Sequence, residues 1–252
     1  METIEMQEMP DAFLSCWKAA AIHLSQQVDG GIQTWLRAHP YPPFLEHLSF
    51  RLGNQLIFVR VEDVDGKTQG PGSLRGLGAA ANAGRGHAFI LPMRKSIFGG
   101  SWEADGLGWG LLDATTRMPI DLVMLVSDEK IEMTATEVHD MAVQVVRGHL
   151  KEQGYQLMPW QSNPGVDPSI WFVGDTRKPE WVVVRSVQFP SNNAERPSNW
   201  AAIAAGVSKL SPVGHFASVA MVSVDQPFQT STEAPIPLWR GHGMHVRFTG
   251  LE

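Results

Sequence analysis

The charged residues of one predicted strand in the C-terminal half decide what chemistry the sequence could support. The strand covers residues 180–185 and reads EWVVVR. Residues two apart on a strand point to the same face, so a carboxylate and a lysine at that spacing would converge on one metal ion and the water that it activates. Here Glu180 shares its face with Val182, and Arg185 shares the other with Val183. Arginine stays protonated and cannot act as a base, although it could hold a phosphate.

Two further carboxylates could join such a site, and all four charged residues also have simpler interpretations. Asp167 stands before a proline ahead of the preceding predicted strand, which is typical of a turn. Glu137 follows Thr134 by three residues, the spacing of a capping box, in which the two side chains bond to free backbone amides at a helix start. Glu180 could be an exposed charge at a strand end. Arg185 could be an ion-paired residue whose apolar stem lies along the sheet.

The other motif-like spacings are weaker indications of a site. Residues 76–81 spell GxGxxA, but no predicted strand precedes them and no acidic residue ends a following strand, so a loop is favoured over a dinucleotide-binding turn. His242 and His245 lie three apart in a predicted strand, on opposite faces, which disfavours joint metal binding. His87 and His139 lack a companion at ligand spacing, and we expect surface or partly buried residues. No GxSxG, HExxH, CxxC or P-loop motif is present.

Composition limits the class of protein. The 252 residues are enough for one large or two modest domains, 43% of them are apolar, and the net charge is −6. This acidity argues against a non-specific nucleic-acid binder, which usually carries a basic excess, although a local basic groove could still exist. Cys16 is the single cysteine, so no intramolecular disulfide can form, as expected of a cytoplasmic protein. No apolar run reaches the roughly 18 residues of a membrane span, and the acidic start is unlike a secretory signal.

The N-terminal half predicts helices followed by a small mixed sheet. An apolar stripe in residues 11–28 predicts a helix, and a short second helix is expected near 32–36, before the HPYPP run. Residues 55–61 form a clear strand after a Gly-Asn turn, with a possible hairpin partner at 48–52. A Gly- and Ala-rich loop with a short helix near 77–83 leads to a strand at 87–91. Residues 1–10 are expected to be a frayed tail.

The C-terminal half has a sharper pattern, and it starts at the capping box of Thr134. A helical stripe runs from there to Gly154 and is followed by three strand-like runs at 155–160, 169–173 and 181–187. A helix over 200–210, a strand over 216–224 and a last strand near 244–248 complete the order. No internal repeat is evident. We therefore expect an α+β protein with an N-terminal region of residues 1–130 and a C-terminal αβββαβ region, with a central mixed sheet, of residues 131–252.

This αβββαβ order, with Asp167 before its second strand, resembles the core of the restriction-endonuclease-like (PD-(D/E)xK) superfamily. In that family an Asp starts the second strand, a carboxylate and a lysine two residues apart lie on the third, and the first helix often adds a Glu. The resemblance would make Asp167, Glu180 and Glu137 ligands of Mg²⁺ and would place Arg185 on a phosphate. The missing lysine spacing leaves the triad incomplete, which favours a fold retained for binding.

Two functions from different classes remain. The first is a non-enzymatic protein-interaction module, such as an inhibitor, immunity factor or interference factor, which needs no cofactor and binds another protein. The nine tryptophans and eleven methionines would suit an exposed apolar contact surface, although core packing also explains them. The alternative is a metal-dependent nuclease with a relocated site. It requires the carboxylates of Asp167 and Glu180 to lie within reach of one Mg²⁺ ion.

Overall fold

The computed structural model describes residues 11–32, 35–37, 47–96, 100–226 and 235–252. The expected tail at 1–10 and the HPYPP run lie outside these residues. The chain divides into two compact units, Met1–Glu129 (unit 1) and Lys130–Glu252 (unit 2). Each unit has its own mixed sheet and its own core, so the expected α+β class is confirmed. Among the described residues, no helix has both the length and the apolar character needed to cross a bilayer.

The described part of unit 1 contains a helix followed by a mixed sheet. Its elements are α1 (Asp11–Gln26), β1 (Trp35–Arg37), β2 (Leu48–Leu52), β3 (Gln55–Asp63), α2 (Leu74–Ala83), β4 (His87–Lys95), β5 (Trp102–Ala104), β6 (Leu112–Asp113) and a 3₁₀ turn over Leu122–Leu125. The sheet order is β1-β2-β3-β4-β5, with β6 also pairing with β4. Among the described strands of this sheet, β3 and β4 are the one parallel pair, because α2 crosses over between them. The second helix expected near 32–36 was wrong, since Trp35–Arg37 pairs with β2.

The strand alternation of β3 separates the two faces of the first sheet. Ile57 and Val59 point to the face covered by α1, whereas Leu56 and Phe58 point to the face covered by α2. Cys16 is fully buried on α1, where burial, helped by the charge of Asp63, raises the pKa of its thiol to about 12. The thiol therefore stays protonated and acts as a small apolar side chain.

Unit 2 has the predicted element order. Its elements are α3 (Ala135–Glu152), β7 (Gln156–Trp160), β8 (Ile170–Val173), β9 (Pro179–Gln188), α4 (Trp200–Val207), β10 (Gly214–Ser223) and β11 (Met244–Phe248). The sheet order is β7-β8-β9-β10-β11, and of these described strands only β9 and β10 pair in parallel. The predicted capping box of Thr134 and Glu137 starts α3. The core under α3 contains Val182 and Val184, while Trp181 and Val183 face α4.

The two units share the order of their first two helices and first five strands, a structural similarity that the sequence alone does not reveal. Unit 1 reads αβββαβββ and unit 2 reads αβββαββ; in each, the first five strands lie in chain order across the sheet, with one parallel pair at the α-helical crossover, and β6 is an addition of unit 1. In each, the first helix covers one face of the sheet and the second helix covers the other. The second unit therefore repeats the first one's path.

Equivalent side chains follow from this repeat. Five buried residues of α1 each have a buried counterpart on α3, 126 positions later. The pairs are Phe13 with His139, Cys16 with Ala142, Trp17 with Val143, Ala20 with Val146 and Leu24 with Leu150. This fixed spacing means that the two helices present the same positions to their sheets.

The central parallel strands match in the same way. Residues 55–60 read QLIFVR on β3, and residues 180–185 read EWVVVR on β9. A Gly-His pair opens each following parallel strand, at Gly86-His87 and at Gly214-His215. The register supports this match, because His87 lies beside Ile57 and His215 lies beside Val182, the third residues of the two runs. Gln55 is thus the counterpart of Glu180, and Arg60 is the counterpart of Arg185.

Candidate functional site

The four charged residues singled out in the sequence all lie in unit 2, where they enter three separate contacts. The first contact is a bidentate ion pair between Asp167 and Arg185. Arg185 Nη1 donates to Asp167 Oδ1 at 2.9 Å, and Nη2 donates to Oδ2 at 2.5 Å. Arg185 Nη1 also donates to the carbonyl of Val184 at 2.9 Å. The pair is partly buried, so it ties the segment before β8 to the far end of β9.

Glu180 lies at the start of β9 and is held by a second set of partners. Its Oε2 lies 2.8 Å from His215 Nε2, and its Oε1 accepts a hydrogen bond from the hydroxyl of Thr176 at 2.6 Å. Burial alone would raise the pKa of Glu180, but the hydrogen bonds from Thr176 and His215 outweigh burial and hold that pKa below its ordinary value. Glu180 is therefore a buried anion that orients an imidazole.

Glu137 forms the third contact, with an arginine near the C-terminal end of the chain. Its carboxylate accepts from Arg240 Nη2 at 2.7 Å and from Arg240 Nε at 2.9 Å. It also accepts a hydrogen bond from the backbone amide of Thr134 at 2.9 Å, which completes the capping box. Both charged side chains are buried. The same carboxylate thus caps α3 and neutralises a buried arginine, which fully uses its oxygens.

The structure does not bring Asp167 and Glu180 together. Asp167 is bound to Arg185, which lies five residues beyond Glu180 on β9, a distance of roughly 16 Å along a strand. Glu180 also shares its parity with Val182 on the α3 face, whereas Arg185 shares the parity of Trp181 on the α4 face. Within the described ranges, no group of three or more His, Cys, Asp or Glu side chains could hold a metal ion.

His139 was expected to be a surface or partly buried residue, but it is buried on α3. No hydrogen-bond partner of its Nε2 is found among the described residues. Burial lowers the pKa of His139, the charge of Arg185 lowers it further, and Asp167 offsets part of that effect. Burial is the largest of these effects, so the ring favours its neutral form. Its counterpart in unit 1 is Phe13, so the polar character here belongs to the second copy alone.

The histidine at the start of the parallel strand recurs in unit 1 with a different partner. His87 Nε2 lies 2.9 Å from Gln55 Oε1, at the place where His215 meets Glu180. Gln55 is an amide and carries no charge, so the histidine of unit 1 meets an amide where the histidine of unit 2 meets a carboxylate. Sequence reasoning missed both histidine contacts. The signal was the shared Gly-His dipeptide, which becomes visible only once the two halves are compared.

The His215–Glu180 pair can orient and polarise an imidazole, as the histidine and its carboxylate do in many acid–base sites. In the described part of the chain, however, no serine, threonine or cysteine side chain hydrogen-bonds to the His215 ring. Thr176 bonds to Glu180 instead. The pair therefore lacks the adjacent nucleophile of an acyl-transfer site.

We expect His139 to make the stability of unit 2 depend on pH. Its folded-state pKa lies below the unfolded value near 6.5, so the native state holds the proton less tightly. The contribution of His139 to the free energy of unfolding is then fully present above about pH 6.5. It decreases on acidification, with a slope of at most about 1.4 kcal/mol per pH unit. His139→Phe, which copies Phe13 of unit 1, should remove this slope. Urea unfolding between pH 7.5 and 5.5 measures it, with His139→Gln as the non-titrating polar control. Equal slopes in all three proteins would contradict the assignment.

Comparisons with known proteins add a family of unestablished role. A family model described as a domain of unknown function (DUF8840) matches residues 136–252, which is almost the whole of unit 2 from the first turn of α3 to the end of the chain. No curated protein matches the chain, and no solved structure matches it. The family model thus covers the second of the two copies.

Proposed function

We propose that this chain is a non-enzymatic protein-binding module that acts as an inhibitor, immunity factor or interference factor. The observation that carries the proposal is an exposed apolar segment of unit 1, residues 118–126. Four of its nine residues are large apolar side chains that lie open to solvent. Their exposed fractions are 65% for Met118, 60% for Val123, 80% for Met124 and 42% for Val126. Clustered exposed apolar residues of this kind are typical of binding surfaces.

The segment is also held firmly in place, which suits a preformed contact surface. Leu122 is buried in the core of unit 1, and the backbone amide of Ile120 donates to the carbonyl of Leu111 at 3.0 Å. Asp121 caps the 3₁₀ turn by accepting from the amide of Val123 at 3.0 Å. Val123 and Met124 therefore project from an anchored turn. A surface that is ordered before binding loses less conformational entropy when a partner arrives.

The candidate catalytic residues are bound to partners within unit 2, and this supports the same proposal. Each of the three carboxylates is bound to an internal partner: Asp167 to Arg185, Glu180 to His215 and Glu137 to Arg240. A restriction-endonuclease-like core that had lost catalysis would leave its polar positions free for such structural pairs. We propose that unit 2 is such a core. Its support is the αβββαβ order with one parallel strand pair.

The double variant Val123→Ser, Met124→Ser should abolish partner binding without unfolding the chain. The two side chains face water, so their loss removes contact area and leaves the core intact. A photo-crosslinking residue at position 124 would first identify the partner, which is then purified and titrated by calorimetry against each variant. Leu107→Ser is the matched control, because Leu107 is 99% exposed and lies outside the segment. Equal affinity of the double variant and the control would contradict the proposal.

The alternative function, a nuclease that uses Mg²⁺, is tested on the same samples. It would need Asp167, Glu180 and Glu137 to leave their present partners and gather round one ion, with Arg185 on the phosphate. Calorimetric titration of Mg²⁺ or Mn²⁺ into the intact chain and into Asp167→Ala, together with a nuclease assay, separates the two functions. Metal binding and cleavage that both disappear in Asp167→Ala would replace the binding proposal with the nuclease.

A further inference from the structure

The exposed apolar segment of unit 1 is bordered by acidic residues along the chain. Residues 113–129 read DATTRMPIDLVMLVSDE and contain four carboxylates against one arginine. That arginine, Arg117, is ion-paired with Glu62 at 3.2 Å. Asp128 and Glu129 follow the segment directly and are both exposed, and neither forms an ion pair within the ranges that the structure describes. The exposed methionine and valine side chains therefore lie beside unpaired negative charge.

The two other carboxylates of this stretch also keep their charge, because their hydrogen-bond donors are neutral groups. Asp121 accepts from the amide of Val123 at 3.0 Å, as the cap of the 3₁₀ turn. Asp113 accepts from the amide of Thr116 at 2.7 Å and from that of Thr115 at 3.0 Å, and these bonds hold the pKa of Asp113 below its ordinary value. Its own amide donates to the carbonyl of the first residue of the segment. Negative charge thus lies on both sides of the segment.

The backbone of the segment offers few groups to a partner. Four of its amides donate to acceptors within the chain, at distances between 3.0 and 3.2 Å. They are the amides of Ile120, Val123, Met124 and Val126. An added strand needs free amides along an edge, and these four are already used. A partner must therefore bind through side chains and satisfy its own backbone, as an α-helix does.

We propose that the exposed apolar segment binds an amphipathic helix of a partner protein whose apolar face is flanked by lysine and arginine. This inference rests on the proposed function and names the chemistry of the partner at that same surface. The helix lays its apolar face on Met118, Val123 and Met124, and its cations lie against Asp128 and Glu129. Methionine side chains adapt their shape to the apolar face that they meet. Complementary charge selects the partner and speeds its association.

A second copy of this chain fits the surface less well. Two copies that met through it would bring the carboxylates of one against those of the other. Like charges that face each other across an interface suppress such pairing, whereas a basic helix gains from the same carboxylates. The charge pattern therefore favours a basic partner over self-association.

The test uses two labelled peptides with one leucine pattern, LKKLLKLLKKLLKL and LEELLELLEELLEL, both acetylated and amidated. Binding to the full chain is followed by fluorescence anisotropy. The lysine peptide should bind at least about tenfold more tightly than the glutamate peptide, and added salt should weaken it. The double variant Asp128→Asn, Glu129→Gln should weaken the lysine peptide by about tenfold, because it removes two facing charges and leaves the apolar contacts in place.

A matched variant controls for the net charge of the chain. Asp29→Asn, Glu103→Gln removes two exposed carboxylates of unit 1 that lie outside residues 113–129. It should bind the lysine peptide within about twofold of the wild type, since charges beyond a Debye length are largely screened. Equal weakening by the two double variants would overturn the proposal, because the peptide would then respond to total charge alone.

Methyl NMR locates the contact without any variant. The methyl signals of Met118 and Met124 should shift when the lysine peptide is added, whereas that of Met221, which is buried in unit 2, should not. Equal binding of the two peptides, or unchanged signals of both exposed methionines, would overturn the proposal. So would a dimer in sedimentation analysis that Val123→Ser, Met124→Ser dissociates, because a second copy would then be the occupant.

Failure of this inference can be distinguished from failure of the proposed function. Both double variants of the surface, Val123→Ser, Met124→Ser and Asp128→Asn, Glu129→Gln, are titrated against the partner that crosslinks at position 124. A loss of affinity in both supports the basic helix. A loss in the serine variant alone overturns the basic helix and leaves the proposed binding surface in place. Full affinity in both variants overturns the proposed function itself.

Discussion

Replacing Arg240 with alanine should lower the free energy of unfolding of unit 2 by about 3–5 kcal/mol, the usual cost of removing one partner of a buried ion pair. Arg240 is fully buried, and its Nε and Nη2 contact both oxygens of Glu137. Without the guanidinium, Glu137 would keep its charge only through the amide and hydroxyl of Thr134. Because Glu137 caps α3, the loss should appear as faster hydrogen exchange along that helix, beside the shift in urea unfolding at pH 7.

Two controls separate this cost from a general loss of charge. Arg94→Ala breaks an ion pair with Asp105 that lies on the surface of unit 1, so no measurable loss of stability is expected there. The double variant Glu137→Gln, Arg240→Met removes both charges and should be more stable than Arg240→Ala alone, because no unpaired buried charge remains. A loss of less than about 1 kcal/mol for Arg240→Ala, the range of an exposed pair, would contradict the prediction.

Gly214→Ala should destabilise unit 2 by about 3 kcal/mol, at the upper end of overpacking substitutions. A Cβ atom at this position would lie 2.1 Å from Cζ2 and 2.3 Å from Cη2 of Trp181. The indole has little freedom to move away. It is buried, its Nε1 donates to the carbonyl of Ser211 at 3.3 Å, and its ring centre lies 4.9 Å from that of Trp200. Thermal and urea unfolding measure the loss.

A rescue variant and a matched glycine test the cause of this effect. Trp181→Leu copies Leu56, the counterpart in unit 1, and should restore part of the stability when it is added to Gly214→Ala. Gly148→Ala is the control, since a Cβ there meets nothing within 4 Å and the residue lies inside α3. It should stabilise the helix by about 0.5–1 kcal/mol. Independent, additive effects of the two changes at 181 and 214 would show that the predicted clash is absent.

The fold class and most elements followed from local pattern. The capping box at Thr134, the stripe of α3 and the strand runs of unit 2 all depend on residues within a few positions of each other, and the structure contains these elements. The error near residues 32–36 had a non-local cause, because β1 becomes a strand only by pairing with β2. The similarity of the two units could not be predicted because their sequences share few identities. It lies in the constant spacing of 126 residues between the buried positions of α1 and α3.

The contacts of the candidate site were harder to predict because they join distant parts of the chain. Arg240 lies 103 residues from Glu137, and no local rule connects them. His215 could have been placed near Glu180 only with the parallel register known, which sets His215 beside Val182, on the face that Glu180 shares. The pairing of Asp167 with Arg185 depends on the path of the segment before β8. Sequence patterns identified the residues that carry charge, but the strand register determined their partners.

The shared topology of the two units creates a hazard during folding, since either first helix could in principle dock on the wrong sheet. Cross-docking of this sort is a known failure of chains with repeated domains. The different buried side chains of α1 and α3 disfavour such cross-docking. If α1 docked on the second sheet, the indole of Trp17 would have to enter the space that Val143 fills, and the ring of Phe13 would take the buried position of His139. The unequal side chains of the two helices thus favour the docking of each helix on its own sheet.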